Sequence, residues 1–149
     1  MNAVLKRAAQ QGSTVVEFAI VGSLLITLLL GITGFAHWIY TLEMVADATR
    51  SGARMAAVCD VDANSIKTSI QNKIPQLSLQ AAQISLDYVP AGCNRTNCQA
   101  IRVSLTGATY LPWFPAGASA FSIPPFTTSL PRESLESVNA AGDINPVCI

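Results

Sequence analysis

Formal charge is scarce in this chain, and its distribution is more informative than its total. Only 12% of the 149 residues are charged, against about 25% in an ordinary soluble domain. Between Glu17 and Glu43 there is no charged residue. Lysine and arginine together number nine, as do aspartate and glutamate. The chain therefore lacks the basic excess with which proteins bind nucleic acid, and we predict no nucleic-acid partner.

Residue patterns that carry catalysis are also scarce. His37 is the only histidine, and it lies at the end of an apolar run, whereas a Ser-His-Asp arrangement needs it in a cleft beside an acid. The glycines are isolated and form no phosphate-binding motif. We therefore expect no enzymatic activity and no cofactor.

One long apolar run dominates the N-terminal third of the chain. No formal charge occurs from Phe18 to Ala36, and the apolar character continues through Leu42. A helix rises about 1.5 Å per residue, so about 20 residues cross a hydrocarbon core of roughly 30 Å. The run is apolar on all sides rather than along one stripe. This favours a membrane span at about residues 15–40 over a buried helix of a soluble protein.

The charges on either side of the run predict its orientation. Lys6 and Arg7 precede it, whereas Glu43 and Asp47 follow it. Because cations are retained on the cytoplasmic side, we expect a cytoplasmic N-terminus and an outer domain on the other face of the membrane.

The order of the N-terminal segments differs from that of a secretory signal peptide. A signal peptide places a small-residue cleavage site after its apolar region, but here the small pair Gly12 and Ser13 precedes the run. A cut between them would leave the helix in the product. Glu17 would then lie one helical turn from the new Ser13 ammonium and could pair with it, or with that of a neighbouring subunit. The alternative is an interfacial carboxylate without a role.

The segment from Gln11 to Ile20, behind a short Lys/Arg leader and ahead of the apolar helix, resembles the processing region of type IV-family prepilins. Its finer pattern resembles the TadE-like pseudopilins of tight-adherence (Flp) pilus systems. The stretch from Asp47 to Ala57 is similar to the small-residue, arginine-bearing stretch that follows the membrane helix in that family. Altogether the resemblance covers about Ala9 to Val58. TadF-like and TadG-like relatives share the N-terminal pattern and stay open.

The resemblance implies a structural pseudopilin or minor pilin that assists assembly or initiation of a Flp-type pilus. A prepilin peptidase would remove the leader, residues 1–12, by cutting between Gly12 and Ser13. Glu17 would guide subunit registration or recognition by the peptidase, and Phe18 would act with it in subunit registration. The implied partners are that peptidase, other pilins and pseudopilins, the assembly machinery and the lipid bilayer. The protein would be a single-pass protein of the bacterial inner membrane with a periplasmic outer domain, or would reach the pilus at the cell surface.

The rest of the chain predicts an α+β fold, in which a long helix over residues 13–58 continues into a small antiparallel outer domain at residues 59–149. The span from Ala63 to Ile74 has isoleucines at four-residue steps and predicts a short helix ended by Pro75. Alternating apolar and polar residues predict a strand near residues 84–88 and another near 101–105, joined as a hairpin.

Three further segments complete the predicted outer domain. The segment from Phe126 to Leu130 is a candidate third strand. An ordered loop is expected from Tyr110 to Pro125, which contains Trp113, Phe114 and Phe121. A brief helical turn is expected near residues 133–138.

All four cysteines lie beyond the predicted span, at Cys59, Cys93, Cys98 and Cys148. An even count in an oxidising compartment favours disulfides, and three connectivities can be drawn. The short loop favours a Cys93–Cys98 bond, which leaves Cys59 to pair with Cys148 and to tie the tail to the helix. A zinc site is the weaker alternative, because the spacing matches a Cys-x2–4-Cys pair poorly.

Two other kinds of function compete with the pseudopilin hypothesis. The first is an unprocessed, membrane-tethered periplasmic binding or envelope assembly module. The second, less favoured, is an anchored periplasmic enzyme. The state of the N-terminus in the mature protein separates the pseudopilin from the unprocessed module.

Overall fold

The computed structural model describes residues 2–61, 64–112 and 119–148, with side chains described from Ser13 onward. Its first element, helix α1, spans Asn2–Val58 and is 57 residues long. The first proline of the chain is Pro75, so no residue interrupts the backbone hydrogen-bond ladder of α1. Hydroxyl groups along the helix donate to carbonyls one turn back, as Thr27 does to the oxygen of Ser23 at 2.8 Å.

The surroundings of α1 change near Tyr40. Every side chain from Ser13 to Tyr40 is exposed or half-buried. From Thr41 onward one face is buried, and Val45, Ala53 and Ala56 have no exposed surface. The outer domain therefore packs on the C-terminal part of α1, and the preceding part projects from the domain.

Helix α2, Asn64–Lys73, lies against the buried face of α1. Its Ile66 and Ile70 are fully buried, as the four-residue spacing of the isoleucines predicts. Gly52 of α1 makes this packing possible, because a Cβ atom built there would lie 2.4 Å from the Cδ1 atom of Ile70. Short 3₁₀ turns at Pro75–Leu77 and Ala81–Gln83 then lead to the sheet.

The described part of the outer domain contains five strands: β1 at Ile84–Val89, β2 at Ala100–Leu105, β3 at Thr109–Tyr110, β4 at Phe121–Ser122 and β5 at Phe126–Pro131. A three-stranded antiparallel sheet has the order β1-β2-β5. Alternate residues of the central strand β2 are fully buried, namely Ile101, Val103 and Leu105, and both β2 and β5 pack on α1. The predicted α+β class, with a long apolar helix and a small antiparallel sheet, is confirmed.

The segment predicted as a loop from Tyr110 to Pro125 is partly paired. Thr109 faces Ser122 and Tyr110 faces Phe121 in a two-stranded antiparallel ribbon, β3–β4. Two residues per strand are too few for an alternating pattern to reveal. The predicted aromatic positions Trp113 and Phe114 lie outside the described residues, as does Ala63 at the start of the second predicted helix.

The helical turn predicted near residues 133–138 is wrong. Leu135 is fully buried and has a positive φ of 49°, which a right-handed helical turn does not allow. The amide of Glu133 donates to the carbonyl of Ala57 at 2.9 Å, and that of Glu136 donates to the carbonyl of Val58 at 2.6 Å. The tail is therefore shaped by the end of α1, whose last carbonyls need donors. A 3₁₀ turn occurs later, at Pro146–Cys148.

Candidate processing site and assembly helix

The residues predicted at the processing site lie together on α1. The helix passes through Gly12 and Ser13 without interruption. The Oγ atom of Ser13 donates to the Oε1 atom of Glu17 at 3.3 Å, and both side chains are exposed. Residues four apart share one face of a helix, so a positive charge placed at the Ser13 nitrogen would lie close to the Glu17 carboxylate. α1 begins at Asn2, so Glu17 lies within the helix here; a cut after Gly12 would bring Glu17 close to a new helix N-terminus, which favours an anion.

The surface that follows this pair is apolar and fully open. Phe18 is 79% exposed, and other large apolar side chains continue along the helix: Ile20, Val21, Leu24, Leu25, Ile26, Leu28, Leu29, Ile32 and Phe35. Among the described residues, one helix is long and apolar enough to cross a membrane, and its most apolar stretch has no buried part. A water-soluble chain would expose this surface only at a large free-energy cost, so the helix needs lipid or the helices of other subunits around it.

Aromatic side chains join the end of this apolar surface to the outer domain. The Nδ1 atom of His37 lies 2.6 Å from the hydroxyl oxygen of Tyr110, which is almost fully buried. The indole of Trp38 packs against the rings of Tyr110 and Phe121, with centroid distances of 5.4 and 5.8 Å. We call these four side chains the aromatic junction. His37 therefore contacts the outer domain through Tyr110.

Small residues line α1 where the outer domain packs. Ala48, Gly52, Ala53, Ala56 and Ala57 are all buried. Two threonines are buried on the same part of the helix, and each satisfies its hydroxyl within the helix: Thr41 donates to the carbonyl of His37 at 2.9 Å and Thr49 to that of Val45 at 2.7 Å. The small side chains allow the sheet and α2 to approach the helix backbone closely.

The four cysteines form two disulfides in the structure. Cys59, which directly follows α1, is bonded to Cys148; their Cα atoms are 5.6 Å apart and the sequence separation is 89. Cys93 is bonded to Cys98 across the β1–β2 connection, with Cα atoms 5.0 Å apart. This is the pairing that the short loop favours. No thiolate is then left to bind zinc, and the described residues contain no group of three potential metal ligands.

Charged side chains occupy the exposed face of α1 just beyond the aromatic junction. Glu43 and Asp47 come first, then Arg50 and Arg54, all of them exposed. Within the described residues, the ion pair found joins Arg95 to Glu136 instead. The four charges on α1 are therefore a solvated face of the helix in this structure.

Comparison with known proteins found a family match that covers most of the described side chains of α1. The family model described as TadE-like protein matches residues 12–54, so the resemblance to that family is confirmed for this part of the chain. The match begins at Gly12 and ends within the buried part of α1, before the sheet domain. No curated protein and no solved structure matched the chain.

Two features of the site were not foreseen from the sequence. One is the aromatic junction, in which His37 and Tyr110 lie 73 residues apart along the chain. The other is the way the tail covers the end of α1, where the Oγ atom of Ser134 also donates to the carbonyl of Val58 at 3.0 Å. The even number of cysteines and the apolar character of Leu135 are the sequence signals for the second feature. For the aromatic junction, the single histidine of the chain is the only signal in the sequence.

Proposed function

We propose that the protein is a minor pilin or pseudopilin of a Flp-type pilus, cut by a prepilin peptidase between Gly12 and Ser13. The observation that carries the proposal is the order of features along α1. A cationic leader and a small-residue pair come first, then Glu17 one turn later, and then a long apolar surface that the fold leaves uncovered. The TadE-like match begins at Gly12 itself.

Each part of the candidate site has a role in this proposal. Gly12 supplies the small residue before the cut, and Ser13 becomes the mature N-terminus. The Glu17 carboxylate pairs with the Ser13 ammonium of its own or a neighbouring subunit, which offsets the cost of a carboxylate near lipid. Phe18 and the apolar surface pack in the bilayer and then against the helices of other pilins. Because α1 bears the outer domain at its far end, the outer domain would be periplasmic or displayed on the fibre.

Cleavage can be tested with matched glycine variants of the full chain, made in membranes together with a prepilin peptidase. Gly12→Leu should abolish the cut, because a bulky residue replaces the small one at the site. Gly22→Leu is the control, since a Cβ atom at Gly22 meets nothing within 4 Å, and it should be cut normally. Normal cutting of the Gly12 variant, or loss of cutting in both variants, would contradict the assigned site.

The role of Glu17 needs a separate experiment, because processing and assembly are different steps. Glu17→Ala should leave membrane insertion intact and impair incorporation into pili in cells that carry the rest of the system. Ser23→Ala is a suitable control, since the Ser23 hydroxyl donates only within the helix, to the carbonyl of Ile20 at 2.9 Å. Normal piliation in the Glu17 variant would refute the proposed role of this residue.

The competing function is a membrane-tethered module that is never processed. It shares the apolar helix and the outer domain, and it differs in keeping Met1–Gly12 attached. A tethered module also has no need of a carboxylate at Glu17. The TadE-like match over residues 12–54 favours the pilin proposal.

A further inference from the structure

The β3–β4 ribbon is held against the turn of α1 where the apolar surface ends. Tyr110 of β3 contacts both His37 and Trp38, and Phe121 of β4 contacts Trp38. These contacts fix the height of the ribbon along the helix axis. They are also the contacts that join the outer domain to the helix nearest the apolar surface.

The ribbon runs from the core of the outer domain toward that surface. Ala108 and Ile123, at its base, are buried in the core, and the amide of Ile123 donates to the carbonyl of Ala108 at 2.9 Å. The Tyr110–Phe121 pair comes next and meets α1 at Trp38, N-terminal to the first core residues of the helix. Leu111, which directly follows Tyr110, therefore lies on the side of the domain that faces the membrane.

Helix geometry gives the depth of this end. If α1 crosses the bilayer, the uncharged residues from Phe18 onward fill a hydrocarbon core of roughly 30 Å in about 20 residues, at about 1.5 Å per residue. Trp38 then lies at the outer boundary of that core, next to the interfacial layer where tryptophan and tyrosine are enriched. The ribbon is held at the same level.

The side chains at this end of the ribbon are apolar and uncovered. Leu111 is 70% exposed, Phe121 is 53% exposed, and Tyr40 on the adjacent turn of α1 is 56% exposed. Between Arg102 and Arg132 the sequence contains no formal charge. An uncovered apolar group that adjoins a membrane span is suited to lipid, since no charge has to be removed from water. We call Leu111 and Phe121 the lower patch.

We propose that the lower patch is a second membrane contact, inserted at the boundary between the headgroups and acyl chains of the outer leaflet. Phe121 packs on Trp38, next to the apolar surface of α1, and this position supplies the reason to choose lipid as its occupant. With α1 as one contact and the ribbon as another, the outer domain would hold a fixed orientation on the bilayer instead of turning about the helix. The proposal requires that α1 crosses the membrane, and it is independent of cleavage after Gly12.

The proposal can be tested with the full chain in nanodiscs that hold one copy each. The lipid carries a paramagnetic label near the top of its acyl chain, and line broadening of backbone amides is measured by NMR. The amides of Leu111 and Phe121 should broaden strongly. Ile144 and Val138 are matched controls, because they are exposed apolar residues at 64% and 48% near the opposite end of the domain, and they should broaden little. Equal broadening at both pairs, or none at Leu111 and Phe121, would overturn the proposal.

A variant and a second labelling scheme separate lipid from a second copy of the chain as the occupant. Leu111→Gln should markedly reduce broadening at Phe121, whereas Ile144→Gln should not change it. In discs with two copies, broadening of Leu111 by a label on the other copy, with no effect of labelled lipid, would show a protein contact and refute the lipid contact. Broadening by lipid would support the lipid contact whether or not Met1–Gly12 has been removed, so this test and the cleavage test can fail separately.

Discussion

The two parts of α1 form one continuous helix with different surroundings and different side chains. From Ser13 to Tyr40 the exposed residues are mainly large and aliphatic, whereas from Thr41 to Val58 the buried face consists mainly of alanine and threonine, with Gly52 among them. Charge separates the two parts, because Glu43, Asp47, Arg50 and Arg54 lie on the exposed face of the second part. The apolar side chains also differ in size, because lipid adapts to any shape, while a sheet and a second helix approach closely only where the side chains are small.

The stability of the outer domain, which packs on the second part of α1, should depend most on the Cys59–Cys148 disulfide. Replacing Cys59 and Cys148 together by alanine should lower the free energy of unfolding by about 4–5 kcal/mol, because the closed loop is long. The same double change at Cys93 and Cys98 should cost only about 2 kcal/mol, since its loop is short. Denaturant unfolding of the full chain in detergent, followed by near-UV circular dichroism, measures both, and equal losses would contradict the assigned pairing.

The membrane end should be most sensitive to charge. Leu25→Lys places an ammonium near the centre of the predicted span and should raise the apparent free energy of insertion by about 2.5–3.5 kcal/mol. Tyr40→Lys is the control, because an ammonium at the interface reaches water and should cost much less. Protease protection of the outer domain in membrane vesicles reports the inserted fraction. A similar effect at both positions would place the boundary of the span elsewhere.

Replacing a glycine by alanine should change the stability in opposite directions in the two parts of α1. At Gly52 the new Cβ would overlap with Ile70. Alanine has a higher helix propensity than glycine, but the overlap costs more, so Gly52→Ala should destabilise the outer domain by about 1–2 kcal/mol in total. At Gly31 a Cβ meets nothing within 4 Å, and Gly31→Ala should be neutral or slightly stabilising. In an Ile70→Ala background the Gly52 change should lose its cost; a persistent cost would rule out the overlap as its cause.

The aromatic junction between the two parts should show the smallest effect. Tyr110→Phe removes the hydroxyl that contacts His37 and should lower the free energy of unfolding by about 1 kcal/mol. Tyr40→Phe is the matched control, since that ring is more than half exposed, and it should change stability little. Unfolding curves of the two variants give the comparison, and equal stabilities would mean that the His37–Tyr110 contact contributes nothing.

The sequence predicted those parts of the fold whose signals are local. The apolar run, the isoleucine spacing of α2 and the period-two strands each report on their own segment, and each was present. The β3–β4 ribbon was missed because Tyr110 and Phe121 are brought together by their contacts with Trp38. The tail was predicted wrongly because its conformation at Leu135 follows from hydrogen bonds to Ala57 and Val58, which no local pattern encodes.

At the candidate processing site, too, the local features could be predicted from the sequence and the contacts with other molecules could not. Its spacing, orientation and resemblance are visible in the sequence from Gln11 to Ile20, and the structure adds that Ser13 and Glu17 share one face of α1. Cleavage itself depends on a peptidase and assembly depends on other subunits. Neither partner leaves a trace in the packing of a single chain.

The intact mass of the protein extracted from membranes that contain its own peptidase is the most direct test of the central claim. The account predicts a chain that begins at Ser13, shorter by Met1–Gly12 and with or without one added methyl group. Such a chain would keep the apolar surface of α1 and the whole outer domain. A mature protein that still carries Met1–Gly12 would contradict the pilin proposal and favour the tethered module.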